Sequence, residues 1–223
     1  MTAAGRAAVR LDIIRRPLPP DDDERRAPPL DGGLDWARIA DWTQRIIDGD
    51  LVPIARVFAD HGAAAPEITW DPAPDQPSAP PLRFLLEHWG AVTRGIELPL
   101  ARKINPFELA PALGYVMKLE PVEGGRDFRY RLYGSRLIRI SGFDMTGKVL
   151  SEHPASGCAI EFAIAVYRAA MRRRHPLYTT RHPLGAKFTR RWHRLVLPYA
   201  DASGSVTRLL CGTVAIGADG RVM

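Results

Sequence analysis

The sequence predicts an α+β domain in which helices cover one face of a five-stranded antiparallel sheet, and three features of the 223-residue chain carry that expectation. Residues 114–134, GYVMKLEPVEGGRDFRYRLYG, hold two strand-like runs either side of a Glu-Gly-Gly turn. In the second run Phe128, Tyr130 and Leu132 alternate with Arg129 and Arg131, as in a half-buried strand. Residues 159–174, AIEFAIAVYRAAMRRR, place Ile160, Ala163, Ile164, Tyr167, Ala170 and Met171 on one helical face. Beyond that helix, PLYTTRHPL, FTRRWHRLVLPYA and VTRLLCGTVAIG read as three more strands, the last two joined by DASGS as a hairpin.

Composition divides the chain near Pro80 and Pro81. Residues 1–81 carry 9 Lys and Arg against 14 Asp and Glu, with 12 of the 20 prolines; residues 82–223 carry 22 against 11. The net charge of +6 therefore joins an acidic first part to a strongly basic second part. Residues 1–33 mix proline, charge and glycine with little apolar content, too little to offset the entropy of ordering, and are expected to form a disordered tail. Residues 34–70 read as a short helical extension. Trp36, Ile39, Ala40, Ile46 and Ile47 recur at helical spacing behind Asp35 as N-cap, and a second short helix runs from Ile54 to Ala59 after Pro53. DPAPDQPSAPP, residues 71–81, has the composition of a linker, leaving residues 82–219 as the domain proper. Within that domain Leu82, Leu85, Leu86 and Trp89 make a helical stripe that ends by Gly95. Asn105 before Pro106 starts a short helical turn, and SRLIRISG is a short helix ending at Gly142.

Several function classes fall away on bulk grounds. Apolar runs such as LLCGTVAIG are far shorter than the roughly 20 residues needed to cross a bilayer, so no membrane insertion is expected. The N-terminus has arginines but no apolar h-region. Cys158 and Cys211 are the only cysteines and show no CxxC or zinc spacing, which makes a reducing cytoplasm the simplest compartment. No paired-carboxylate motif or glycine-rich phosphate loop is present, and Ser151, Glu152 and His153, though adjacent, are not thereby a triad.

At the level of local wording, LARKINPFELAPALGYVMKLEP, DFRYRLYGSRLIRISGFDMTGKVLSE, AVYRAAMRRRHPLY and RLVLPYADASGSVTRLLCG resemble a bacterial PAS-like family, many of whose members are short stand-alone proteins from alphaproteobacteria. The resemblance spans residues 82–216 and leaves residues 1–81 outside it. It implies a sheet of order 2-1-5-4-3 with the long helix across its concave face, and sensing or interaction instead of catalysis. PAS domains bind small ligands between sheet and helix, or pair with other domains through the outer sheet face and N-terminal helix. In such a fold the segment 127–150 builds a cavity wall, with Gly134 and Gly142 permitting turns.

On that frame the residues expected to face the cavity are Phe128, Tyr130, Leu132, Ile164, Tyr167, Leu195, Leu197 and Cys211, with His193 as a candidate hydrogen-bonder. A slip of one residue in any strand inverts its parity. No cofactor is specified. Haem is disfavoured because the long helix holds no histidine before His175. Flavin is disfavoured because the Arg, Asn and Gln pattern that would hold its ring and phosphate is missing around Cys158. No metal site is read. The most unusual feature is basic: residues 168–194 hold nine Lys and Arg and no acid.

The leading expectation is a non-enzymatic, cytoplasmic sensory or interaction module, in which ligand or partner shifts the helix 82–93 against the sheet and output passes through a homodimer or a signalling partner. One alternative is a nucleic-acid or nucleotide-binding regulator working through Arg172, Arg173, Arg174, Arg190, Arg191 and Arg194, a reading that rests on charge alone. Another is a scaffold whose core is filled by its own side chains.

Overall fold

The computed structural model describes residues 33–155, 157–184 and 189–223. The expected tail, residues 1–33, lies outside the described residues except for Gly33.

Helix α1 (Trp36–Asp48) starts where the sequence places it. The Asp35 side chain accepts a hydrogen bond from the Arg38 backbone N–H at 2.9 Å, and Gly49 closes the helix in the left-handed conformation. Helix α2 (Val52–Asp60) carries Pro53 in its first turn, where a missing N–H costs nothing. Strand β1 (Glu67–Trp70) follows, then α3 (Pro80–Val92), β2 (Val116–Val122) and β3 (Asp127–Tyr133). The chain goes on through α4 (Ser135–Ser141), α5 (Cys158–Arg173), β4 (Leu177–Arg181), β5 (Thr189–Ala200) and β6 (Val206–Gly217). The helical turn expected after Asn105 forms as a run of hydrogen-bonded turns, and the Asn105 side chain accepts from the Phe107 N–H at 3.1 Å.

All paired strands are antiparallel, in the order β1-β4-β5-β6-β2-β3. This corrects the five-stranded expectation. A sixth strand, β1, falls in the stretch read as a helical extension and joins the sheet beside β4, with Ile68 opposite Thr179. Its four residues, EITW, are too few to register as an alternating pattern, so its formation depends on the open edge that β4 offers. The other five strands keep the relative order 2-1-5-4-3 when numbered among themselves.

The expectation of helices on one face is also corrected. Helix α5 lies against the face that presents Met117, Leu119, Phe128, Tyr130, Leu177, Val196, Leu209 and Cys211, and α1 and α2 pack into the same core. Helix α3 covers the other face, where Val116, Tyr178, Leu195, Leu197, Leu210 and Val214 gather. A Cβ added to Gly212 would lie 2.6 Å from a Leu85 methyl, so the absence of a side chain lets α3 lie directly on β6. Layered between sheet and α1, helix α5 buries nearly its whole circumference, which explains the apolar residues on all its sides.

Candidate functional site

A cavity of about 260 Å³ opens between the sheet and the N-terminal half of α5. Its floor is the inner face of the sheet, from Met117 on β2 to Arg181 on β4; Ala159, Ile160 and Ala163 of α5 form its roof. The segment between β3 and α5 closes one side through Leu137, Phe143, Leu150 and His153. Small residues on α5 are what leave the space, since alanines at 159 and 163 stop at Cβ where larger side chains would reach the sheet.

Two glycines shape this wall for different reasons. Gly142 ends α4 with φ +80°, a conformation that side chains resist, and its N–H returns to the Ile138 carbonyl at 2.8 Å. Gly134 has an ordinary φ of −62°. Its requirement is proximity, because a Cβ there would come within 2.6 Å of the Gly114 carbonyl carbon and closer still to its oxygen.

Of the residues expected to face the cavity, Tyr130 does so. Phe128, Ile164, Tyr167 and Cys211 are on the correct face but lie packed in the core beside the cavity, with the Phe128 and Tyr167 rings edge to face at 5.5 Å. Leu132, Leu195 and Leu197 are corrected to the opposite face, under α3. For Leu132 the cause is a bulge. Lys118 pairs with Leu132 but Leu119 pairs with Tyr130, so Arg131 is an extra residue and the alternation inverts after it. Tyr133, not Leu132, then lines the cavity. For β5 the cause is that Leu195, Val196 and Leu197 are all fully buried, since both faces of the sheet are covered and apolarity no longer marks one of them. His193 likewise sits on the α3 side, its Nδ1 2.6 Å from the Tyr178 hydroxyl, and burial holds its pKa below the usual value.

Inverting β5 brings Trp192 and Arg194 into the cavity, together with Arg181 from β4. Arg181 stands opposite Trp192, and Arg194 stands opposite Thr179, so the two arginines are diagonal neighbours on one face. The Arg194 guanidinium lies 5.2 Å from the centre of the Tyr167 ring, and its Nε donates to the Thr213 hydroxyl at 3.2 Å. Arg181 donates to the His182 carbonyl at 3.3 Å. Neither arginine has a carboxylate partner among the described residues. Burial first, then the nearby Arg194 charge, pulls the Arg181 pKa down to about 10, so both groups remain cationic at neutral pH. At Arg194 burial opposes the charge, while Tyr167, Tyr130, Tyr133 and the Cys211 thiol would favour it once ionised, and the net shift is upward. Those tyrosines and the thiol are themselves shifted upward by burial, so at neutral pH they are protonated and lend Arg194 no counter-charge. His153, edge-on to Phe143 at 4.9 Å, is pushed down to about 4, chiefly by burial and further by Arg194 and Arg181, and is neutral.

The other arginines put forward for nucleic acid are divided among separate contacts. Arg172 and Arg190 are exposed. Arg173 lies over the Trp70 ring at 4.5 Å, Arg174 pairs with Glu97 at 2.9 Å, and Arg191 reaches Glu67 at 3.5 Å. Arg172–Arg174 precede β4 while Arg190 and Arg191 lie past its far end, a separation of about 13 Å along the strand alone. Arg194 is inside. Among the described residues no group of three or more His, Cys, Asp or Glu side chains could hold a metal ion, and no helix is long and apolar enough to cross a membrane. His175 contacts Asp71 at 2.9 Å, and Cys158 is buried at the start of α5.

An antiparallel sheet crossed by one buried helix, with a cavity between them, defines an α+β module with an enclosed site. The sequence profile of the PAS domain family matches residues 78–214, most of the chain, and the protein belongs to that family. Comparison with curated proteins and with solved structures gives no match.

Proposed function

We propose that this protein is a non-enzymatic sensory module of the PAS class, in which a small molecule occupies the cavity under α5 and the occupied state is read through α1 by a second copy or a partner protein. The observation that supports it is the two-sided use of α5. Ala159, Ile160 and Ala163 line the cavity, and Glu161, about 150° around the helix from the centre of that group, holds α1. A ligand that displaces α5 therefore acts on the seat of α1, whereas α3, the helix first expected to move, lies across the sheet from the cavity. Occupancy shifts the balance between two seatings of α1 only to the extent that the ligand binds one of them better.

The test is saturation-transfer NMR with a mixture of small aromatic acids, amides and alcohols, run on the wild type and on Ala163→Phe, which fills the cavity from α5. At least one compound binds the wild type and is lost from the variant, and hydrogen exchange in α1 changes on binding. Equal binding by both proteins, or binding of nothing, would refute the reading.

A further inference from the structure

Within that sensory reading, we propose that the cavity selects an organic carboxylate, its acid group held between Arg181 and Arg194 and its apolar body lying among Tyr130, Tyr133, Phe143 and Trp192. Both guanidiniums line the same cavity on adjacent strands. Each presents five N–H donors, and one hydrogen bond is made by each to the rest of the described protein, to the His182 carbonyl and to the Thr213 hydroxyl.

Several arginines elsewhere in the molecule are treated differently. Arg38, Arg45, Arg131, Arg174, Arg191 and Arg208 each meet a carboxylate within 3.5 Å. Those six are partly or fully exposed; the two cavity arginines, also partly buried, have largely apolar and aromatic surroundings in which a charge without a partner is more unfavourable. The described residues lining the cavity include no Asp or Glu, and His153, the remaining basic group among them, is neutral and repelled from protonation by the same two charges.

Two like charges placed diagonally on one face repel each other, and that repulsion is relieved by an anion between them. Apart from Ser141, His153 and Thr213 the rest of the lining is apolar or aromatic, so a bare inorganic anion would leave most of the cavity unmatched, and a neutral apolar molecule would leave both guanidiniums without an anionic partner. A carboxylate with an aromatic or short aliphatic body satisfies both parts.

The experiment uses the full chain and four matched pairs: benzoate, phenylacetate, 3-phenylpropionate and octanoate, each against its primary amide, titrated by calorimetry. At least one acid binds tenfold or more tightly than its amide, the scale expected for a charge-assisted hydrogen bond. Arg181→Gln and Arg194→Gln each erase that preference by roughly tenfold, while Arg181→Lys retains part of it. Without ligand, Arg181→Gln unfolds at a higher temperature than the wild type, because a half-buried charge repelled by Arg194 has gone; this readout also certifies the variant as folded. Amides binding as well as acids in the wild type would overturn the carboxylate assignment and leave the cavity reading standing. Failure of all eight compounds to bind would overturn both.

Discussion

Replacing Glu161 by alanine tests whether α1 is an integral layer of the protein or an appendage. The carboxylate is almost wholly buried, with its side chain 2% exposed, and accepts three hydrogen bonds: from Arg38 Nε at 2.7 Å, from a terminal Arg38 nitrogen at 2.8 Å and from the Asp35 backbone N–H at 2.9 Å. Arg38 is 38% exposed, so its own loss of a partner is relieved by water. The asymmetry fixes the magnitude. Removing Glu161 strips the anchor from the N-terminus of α1 and costs about 3 kcal/mol, at the low end for breaking a buried pair because the stranded cation can rehydrate. Removing Arg38 instead strands a buried carboxylate and costs about 4 kcal/mol. In a chain of this size, about 3 kcal/mol corresponds to a fall of roughly 6–12 °C in Tm. The assays are urea unfolding followed by tryptophan fluorescence, with hydrogen exchange resolved by peptide. In Glu161→Ala the amides of residues 36–48 exchange faster than those of β5 and β6, showing that the first layer loosens while the sheet holds. A loss below about 1 kcal/mol, or uniform exchange throughout the chain, would show that α1 is held by its apolar face alone, through Ile39, Trp42 and Ile46, and that the buried fork is incidental.

Three other outcomes follow from the same geometry. Gly134→Ala destabilises by about 2–3 kcal/mol in chemical unfolding because its Cβ meets the Gly114 backbone, whereas Gly142→Ala costs about 1 kcal/mol for its left-handed φ; equal effects would contradict the close-approach account. The His153 pKa falls from 6.5 to about 4 on folding, so the unfolded chain binds more protons between those values. Stability is therefore full above pH 6.5 and declines as pH falls towards 4, by about 2 kcal/mol once water access through the cavity is allowed for. His153→Phe flattens that window, and an unchanged slope in pH-dependent unfolding would show the ring to be solvated. In a gel shift with duplex DNA, Arg172, Arg173, Arg190 and Arg191 changed together to Gln leave mobility unaltered, since these groups are divided between the two ends of β4; a strong, salt-sensitive shift lost in that variant would restore the nucleic-acid reading.

Element types were readable where a single periodicity ruled. The α1 helix followed from Asp35 and the spacing of Trp36, Ile39 and Ile46, and α5 from the helical spacing of Ile160, Ala163, Ile164 and Tyr167. Side-chain direction in the strands was not readable, and the reason is physical. Alternation reports a face only when the other face meets water, and here α3 and α5 cover both. In RRWHRLVL that left Trp192 and Arg194 indistinguishable in direction from His193 and Leu195. A single extra residue at Arg131 had the same effect in β3, with no glycine or proline to announce it. The carboxylate site was therefore present in the sequence as composition, two of the nine basic residues between 168 and 194, but not as position. Charge alone had suggested a nucleic-acid or nucleotide-binding surface, and the surface is where most arginines belong.

That misplacement bears on why the cavity arginines persist in so apolar a place. A core that needed only to fill space would put leucine or methionine at 181 and 194, as the same strands do on their other face at Leu195 and Leu197. Replacing buried charge by apolar volume is commonly neutral or stabilising, so stability does not explain two guanidiniums around one cavity without a carboxylate partner among the described residues. They make the ligand-free state the strained one. An anion entering between them relieves repulsion beneath α5, and the part of the helix it reaches, Ala159 to Ala163, contains the carboxylate that seats α1. The coupling needs no contact between ligand and α1: a small displacement of one turn of α5 changes the three hydrogen bonds at Glu161. Loss of the Glu161 fork should consequently leave carboxylate affinity within about threefold while removing the ligand-induced change in α1 exchange, a separation that a purely structural role for Glu161 does not produce.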